Sequence, residues 1–235
     1  MTFLLLLLGC NQDNFITMVG TAFSDDEPAS ALSGAELTAL DFGTVETDTV
    51  TTDADGAFEL LVRAGGIFYM EMSAPGHATT GLTGSVGQED FTAGDGLVWL
   101  RSDEALDVIR DEFSGCPGWD GDGAIVEGEI RLFQEGLAPE DSSRSLTGWA
   151  TAIDLDGNEY ETCYLADDEQ RVAYDPEATV TGFHGRFAIF DAPSGPITLK
   201  VGYYVEAIEF YETSFYLYVP KGGVTSLYPA WVELY

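Results

Sequence analysis

The sequence predicts an all-β protein of two tandem antiparallel β-sandwich domains, joined by at most one short helix. Three observations support this prediction. Apolar residues make up 45% of the 235 residues, which suffices for packed cores. From residue 15 onward, short runs of β-branched and aromatic residues alternate with turn residues, as they do in sheet proteins. A pattern in the first half returns in the second, which indicates a duplicated β unit.

The duplicated unit is clearest in two segments, 53–66 and 182–195. Each has a turn glycine, then an aromatic and an aliphatic residue two positions apart, then a second glycine. Glycine accepts the positive φ of a tight turn, and residues two apart point to the same face of a strand. We expect each half to form a meander that closes its own core. The corresponding residues are Gly56, Phe58, Leu60 and Gly66 in the first half, and Gly185, Phe187, Ile189 and Gly195 in the second.

The clearest helix signals lie between the halves. Ser102 suits an N-cap, the acidic residues behind it suit a first turn, and Leu106, Ile109 and Phe113 recur at helical spacing. The predicted organisation is a signal peptide at 1–9, a tether at 10–14, a sandwich at 15–101, a linker with a short helix at 102–122 and a second sandwich at 123–235.

The chain is strongly acidic. Nine Lys and Arg residues stand against 41 Asp and Glu residues, so the net charge is −32 and the pI is about 4.1. Such a surface repels phosphate backbones and anionic bilayers, which argues against nucleic-acid partners and against direct membrane binding. Three interpretations remain open: an acidic shell suited to high or divalent salt, a calcium-rich extracellular setting, and a basic partner.

The N-terminal stretch resembles a bacterial lipoprotein signal. Leu7-Leu8-Gly9-Cys10 ends an apolar run too short to span a membrane and is similar to a lipobox. This resemblance implies cleavage before Cys10 and lipid attachment to its sulfur. It also implies an exported protein anchored to the bacterial cell envelope, at the periplasmic or surface face of the outer membrane, with the lipid as its only membrane contact. The alternative is a buried N-terminal strand with a free thiol.

Two cysteines remain once Cys10 is assigned to the lipid. An even number of cysteines in an exported protein favours a disulfide, so we expect Cys116 and Cys163 to be bonded. The alternative is two unrelated thiols in an apolar pocket.

A second resemblance concerns the first half. Gly34-Ala35, the run TDADGAF at 52–58 and Ala74-Pro75-Gly76 are similar to motifs of the carboxypeptidase regulatory-like domain. The match covers about residues 15–100 and is weak in the second half, where TGFHG replaces TDADG. The resemblance implies transthyretin-like β-sandwiches that act as non-catalytic accessories, spacing or docking other modules.

No enzyme motif stands out. The two histidines lie in different halves without an HExxH pattern, and neither a P-loop nor a GxSxG elbow occurs. We therefore expect no catalysis and no organic cofactor. The expected role is binding or scaffolding, with a protein or glycan partner in the envelope. The alternative from another class is a hydrolase with an unrecognised carboxylate pair, because acidic residues are abundant.

Calcium is the one ion that the sequence motifs favour. Asp120 and Asp122, and then Asp154, Asp156 and Asn158, place hard oxygen ligands two residues apart, as calcium loops do. Neither stretch completes an EF-hand loop. The alternative is a pair of turns rich in Asp and Gly.

Aromatic residues cluster near the C-terminal end of the sequence. Tyr211, Tyr216 and Tyr218 are the candidates for a ligand-binding face, because aromatic rings stack on sugars and on apolar partner surfaces. Carbohydrate recognition through these rings is the alternative binding function. Strands favour aromatic residues in any case, so core packing is the competing interpretation.

Overall fold

The computed structural model describes residues 15–25, 30–41, 45–93, 98–133, 148–166, 172–182, 184–205 and 209–233, including their side chains except at 132–133, 204–205, 209–211 and 228–233. These ranges form seventeen strands and one short helix, so the predicted all-β sandwich class is confirmed. The elements are β1 (Phe15–Thr21), β2 (Phe23–Ser24), β3 (Glu36–Asp41), β4 (Val45–Thr51), β5 (Ala57–Arg63), β6 (Gly66–Ser73), β7 (Thr80–Val86), β8 (Phe91–Thr92), β9 (Trp99–Leu100), α1 (Asp103–Glu112), β10 (Ala124–Phe133), β11 (Gly148–Ile153), β12 (Glu159–Tyr160), β13 (Cys163–Tyr164), β14 (Arg186–Ala192), β15 (Gly195–Val205), β16 (Glu209–Val219) and β17 (Val224–Glu233).

The first half contains two facing sheets. β1 pairs antiparallel with β5 and parallel with β8. In the other sheet, β3 pairs antiparallel with β4 and β6, and β6 pairs antiparallel with β7. Side chains alternate along these strands, so each sheet turns one apolar face inward. The largest fully buried side chains of this core are Met18, Leu37, Leu60, Met70, Met72 and Leu100.

The second half repeats this pairing strand by strand. β10 pairs antiparallel with β14 and parallel with β17, while β11 pairs antiparallel with β12 and β15, and β15 with β16. Its core lies between these two sheets. Each half thus holds a parallel pair that an antiparallel meander does not contain, and the first half holds a second one between β2 and β9. The largest fully buried side chains of this core are Phe187, Ile130, Ile189 and Leu199.

The turns that define the repeat have the backbone that glycine permits. Gly56 has φ 75° and Gly185 has φ 65°, and the following Phe58 and Phe187 are buried. The second turn differs between the halves. Gly195 has φ 109°, as its alignment suggests, but in the first half the positive φ falls on Gly65 instead of Gly66. The position of the glycine with positive φ therefore differs by one residue between the two turns.

The two halves share one sheet. The start of β17 pairs parallel with the start of β7, at Val224↔Thr80 and Thr225↔Gly81. This pairing produces an eight-stranded sheet in the order β13-β14-β10-β17-β7-β6-β3-β4. The contact requires a glycine, since a Cβ at Gly81 would stand 2.3 Å from the carbonyl oxygen of Tyr218. Beyond Thr225 the two strands no longer pair, which leaves a gap in the sheet.

The helix covers the second half on its outer face. Ser102 caps α1 by accepting a hydrogen bond from the backbone N–H of Ala105, as the sequence predicts. Ile109 and Phe113 are buried against the face of β10 and β14 that points away from the second core. The middle strands of this half are therefore covered on both faces, which explains their nearly continuous apolar sequences. Within the described ranges, no helix has the length and apolar character needed to cross a membrane.

Candidate functional site

A cleft of about 890 Å³ opens where the two halves meet. It lies beside the gap between β7 and β17 and beneath α1. We call it the junction cleft. Its volume is in the range of small-molecule sites, which often form between packed domains. Its lining residues are Asp25, Met72, Thr80, Gly81, Leu82, Thr83, Trp99, Leu100, Arg101, Ala105, Val108, Ile109, Arg186, Leu217, Thr225, Ser226 and Leu227.

The first half and the helix give the junction cleft its apolar wall. Leu82 on β7 and Trp99 on β9 are partly exposed residues of this wall, whereas Met72 and Leu100 behind them are buried in the core of the first half. Above them α1 contributes Val108, whose side chain is 51% exposed. Covering such a half-exposed apolar side chain with a ligand is favourable, because it removes apolar surface from water.

Arg101 builds the charged floor at the centre of the junction. Its Nη1 donates to Asp25 Oδ2 at 2.9 Å, and its Nε donates to Glu127 Oε1 at 2.9 Å. Ser226 Oγ donates to the same Glu127 oxygen at 2.6 Å. The residues come from both halves of the chain, so this network ties the halves together. Burial alone would lower the pKa of Arg101, but the charges and hydrogen bonds of Glu127 and Asp25 raise the pKa above its usual value.

Arg186 forms a second charged group at the same end of the cleft. It pairs with Glu112 at the end of α1, and its guanidinium lies 6.0 Å from the ring centroid of Phe113. Its backbone register places it opposite Glu129 on β10. Within the described residues its buried Nε has no hydrogen-bond acceptor. The guanidinium is thus fixed in place with part of its donor capacity unused.

Two guanidinium groups line the cleft, whereas the two glutamates of β10 beside them do not. The side chains of Arg101 and Arg186 are 22% and 18% exposed, and both line the cleft. Those of Glu127 and Glu129 are only 1% and 2% exposed, and neither lines it. Asp25 is the one acidic residue in the part of the lining that the structure describes, and its two oxygens accept from Arg101 and from the backbone N–H of Ser102. Although the net charge of the chain is −32, two of the three charged side chains in the described lining of this cleft are arginines.

The structure bonds Cys116 to Cys163, the pair that the sequence favours, across a separation of 47 residues. The bond joins the segment after α1 to β13. Both sulfur-bearing residues are buried in the cluster that includes Phe113 and Phe190. The disulfide therefore fastens the helical layer onto the outer face of the second half.

The segments predicted to bind calcium are turns. Asp154 Oδ1 accepts from the backbone N–H groups of Asp156 and Asn158, and Oδ2 accepts from the Asn158 side chain and the Tyr160 hydroxyl. These hydrogen bonds, led by that of the Asn158 side chain, lower the pKa of Asp154. Both of its oxygens are thus engaged by the turn itself. Calcium binding at this turn and at Asp120 and Asp122 stays a prediction. In the described part of the chain, no three His, Cys, Asp or Glu side chains gather as metal ligands would.

The three candidate tyrosines have different environments. The Tyr218 hydroxyl donates to Glu71 at 3.0 Å, and its ring lies 6.3 Å from that of Tyr69 at an interplanar angle of 56°. Tyr218 therefore packs across the junction onto the first half. Burial first and then Glu71 raise its pKa to about 12. Tyr216 is 56% exposed and keeps a free face. The side chain of Tyr211 lies outside the described residues, and so does Cys10.

The sequence motifs did not single out Arg101, Glu127 or Arg186. One signal was available: Glu127 and Glu129 interrupt an apolar run in β10, with Arg131 directly beyond. Acidic residues on alternate positions of a strand usually indicate a solvent-facing side. Here that side is covered by α1, and the arginines compensate the buried charge.

A comparison with solved structures finds chains of low similarity, among them the following three. The TIE protein of Bacillus anthracis matches at a TM-score of 0.30 and 13% identity, over 92% of this chain and 34% of that chain. The minor pilin of Streptococcus agalactiae matches at 0.26 and 8%, over 94% and 96% of the two chains. The major pilin subunit of Bacillus cereus matches at 0.26 and 12%, over 88% and 69%. This chain thus spans about a third of the TIE protein chain that it matches.

No family model and no curated protein matches the sequence. The resemblance of the first half to the carboxypeptidase regulatory-like domain therefore depends on the motif residues themselves. Two of these have a structural role. Thr52 is buried, its hydroxyl donates to the Leu32 carbonyl, and it accepts from the backbone N–H of Ala35 at 2.9 Å. Asp53 accepts from the backbone of Asp55 and Ala57, which closes the turn before β5.

Proposed function

We propose that this chain is an exported, non-catalytic protein of the bacterial cell envelope, anchored by lipid at Cys10 and acting as a binding or scaffolding module. The two sandwiches, at 15–101 and 123–235, work as one unit in this proposal, with the junction cleft as the ligand site. The observation that carries the binding role is the cleft itself: a preformed concave site, apolar on one side and charged on the other.

The chemistry of the cleft suits binding better than bond breaking. Its described lining residues include neither histidine nor cysteine, and its two arginines are held in ion pairs. A carboxylate-pair hydrolase needs two accessible acids facing one substrate. Asp25 is the one acid among the described lining residues, and its oxygens accept hydrogen bonds from Arg101 and Ser102. These features support a module that holds a ligand in a fixed pose.

The anchor is supported by the Leu7-Leu8-Gly9-Cys10 motif. Its test is metabolic labelling of the expressed chain with an alkyne analogue of palmitate, compared with a Cys10→Ala variant. The wild type is expected to take up label and to fractionate with membranes, and the variant to do neither. A matched Cys116→Ser, Cys163→Ser variant should retain the label. An unlabelled wild type would refute the anchor.

A further inference from the structure

We propose that the junction cleft binds a small amphipathic anion, an aliphatic or aromatic chain that ends in a carboxylate. This proposal deepens the proposed binding role and is independent of the lipid anchor. It names the chemical class of the ligand from the distribution of apolar and charged groups around one cavity.

The first argument is the polarity gradient across the cleft. On the face of the shared sheet beneath α1, β6 and β7 present Met72 and Leu82, which are apolar. Moving across β17 and β10 to β14, the same face presents Ser226, then Glu127 and Glu129, and then Arg186. Of these four residues, Ser226 and Arg186 line the cleft. A ligand that crosses from the first half to the second therefore passes from an apolar wall to a charged one. A molecule with one apolar end and one charged end satisfies both.

The second argument is the sign of the accessible charge. Arg101 and Arg186 line the cleft, whereas Glu127 and Glu129 do not line it and are almost fully buried. Among the described lining residues the charged side chains are Arg101, Arg186 and Asp25, so the lining carries one more positive than negative charge. Guanidinium N–H donors match the geometry of a carboxylate and bind it more strongly than a neutral acceptor. The ligand head is therefore an anion.

The third argument is the contrast with the remaining surface. The chain has nine Lys and Arg residues against 41 Asp and Glu residues, and that balance repels an anion in general. An anionic ligand thus gains little from non-specific contact with this protein. Saturable binding of such a ligand would report a specific site, and the arginines of the cleft supply one.

Decanoate is the probe, because it stays monomeric at millimolar concentration. It is titrated by calorimetry in 0.15 M salt into the full chain carrying Cys10→Ala, so that no attached acyl chain competes. We expect one saturable site with a dissociation constant of about 10–500 µM. Decanol, which has the chain without the charge, should bind at least about tenfold more weakly. Decyltrimethylammonium, which has the opposite charge, should show no saturable site.

Two variants locate the site. Val108→Asp places a carboxylate at the exposed mouth of the cleft and should weaken decanoate binding about tenfold or more. Its matched control is Leu155→Asp, at an 80% exposed position outside the cleft lining, which should bind as the parent does. Arg186→Gln combined with Glu112→Gln removes the ion pair without a net change of charge. It should weaken decanoate about tenfold and leave decanol unchanged, with the melting temperature confirming that the variant is folded.

Several results would overturn the proposal. Decanoate that fails to saturate, decanol that binds equally well, or a Val108→Asp variant that binds like its parent would each do so. A dimer that Val108→Asp dissociates would show that a second copy covers the cleft instead. The labelling experiment on Cys10 measures only the anchor, and the titration measures only the cleft. The failure of one is therefore distinguishable from the failure of the other.

Discussion

The two halves of the molecule end in different ways. In the first half the strand parallel to β1 is β8, which has only two residues, Phe91 and Thr92. In the second half the strand parallel to β10 is β17, which has ten residues and pairs with β7 on its other side. One repeated unit therefore yields either a short closing strand or a long shared one. The length and position of the last strand decide whether the sandwiches stay separate or fuse.

The outer faces of the two halves also differ. The outward side chains of β1 and β5 leave Phe15, Val19 and Leu61 between 37% and 44% exposed. The corresponding face of β10 and β14 is buried under α1 and the disulfide. Because of this added layer, the strands of the second half carry glutamates that are buried. Nearby arginines neutralise the charge of these glutamates.

The largest expected effect comes from removing the ion pair that bridges the halves. Arg101→Ala leaves the buried Glu127 carboxylate without its cationic partner, which should cost about 3–5 kcal/mol of unfolding free energy. Urea denaturation followed by circular dichroism measures this loss. Arg63→Ala is the control within the first half, where the pair with Asp41 is more exposed and should contribute at most about 1 kcal/mol. Equal losses in the two variants would contradict the special role of the junction.

The next effect concerns the layer present only in the second half. Replacing both Cys116 and Cys163 by serine should cost about 3–4 kcal/mol, because the crosslink restricts the unfolded chain over 47 residues. Reductant should lower the melting temperature of the parent and leave that of the double variant unchanged. A melting temperature of the parent that does not respond to complete reduction would argue against this prediction.

The shared sheet is tested at the contact between β7 and β17. A methyl group at Gly81 would meet the Tyr218 carbonyl oxygen at 2.3 Å and the Thr225 hydroxyl at 2.6 Å. Gly81→Ala should therefore cost about 1–3 kcal/mol through forced separation of the strands. Gly87→Ala is the matched control, because a methyl group there would have no other atom within 4 Å and the φ of Gly87 is not positive. It should change stability little, and a comparable loss there would refute the steric explanation.

The smallest effect is a pH dependence at the same junction. The pKa of Tyr218 is raised to about 12 in the folded state, so its phenol stays protonated after that of the unfolded chain has ionised. Stability that is present below about pH 10 should be lost as the pH rises toward 12. Tyr218→Phe should reduce the slope of stability against pH in this window. Tyr216→Phe should reduce it less, because Tyr216 acts through the charge that it places near Tyr69.

The features of the fold that the sequence predicts arise from patterns within a few residues of the chain. Gly56, Phe58 and their counterparts Gly185 and Phe187 follow from turn chemistry and alternation, which act over a few residues. The cap of Ser102 on α1 follows from the same kind of short-range signal. These features recover the strands, the repeat and the helix.

The features of the fold that the sequence does not predict arise from contacts between residues far apart in the chain. The pairing of Thr80 with Val224 joins two strands far apart in sequence, and no local feature of either strand requires it. Tyr218 illustrates the consequence for the candidate site. Tyr218 lies in a strand rich in aromatic residues, which suggests a ligand-binding face. In the structure its side chain instead contacts Glu71 and Tyr69 of the first half. The junction cleft exists only because of such contacts, so its residues carried no motif.

The union of β7 with β17 has a further consequence for the exposure of the backbone. Two separate sheets would present four open borders, each a row of unpaired N–H and C=O groups that can recruit another chain and aggregate. Within the described residues the eight-stranded sheet has two, at β4 and the short β13. A chain divided between α1 and β10 would bare β7 in one fragment and β17 in the other. Each fragment alone should therefore be prone to self-association, and mixing the two should suppress it.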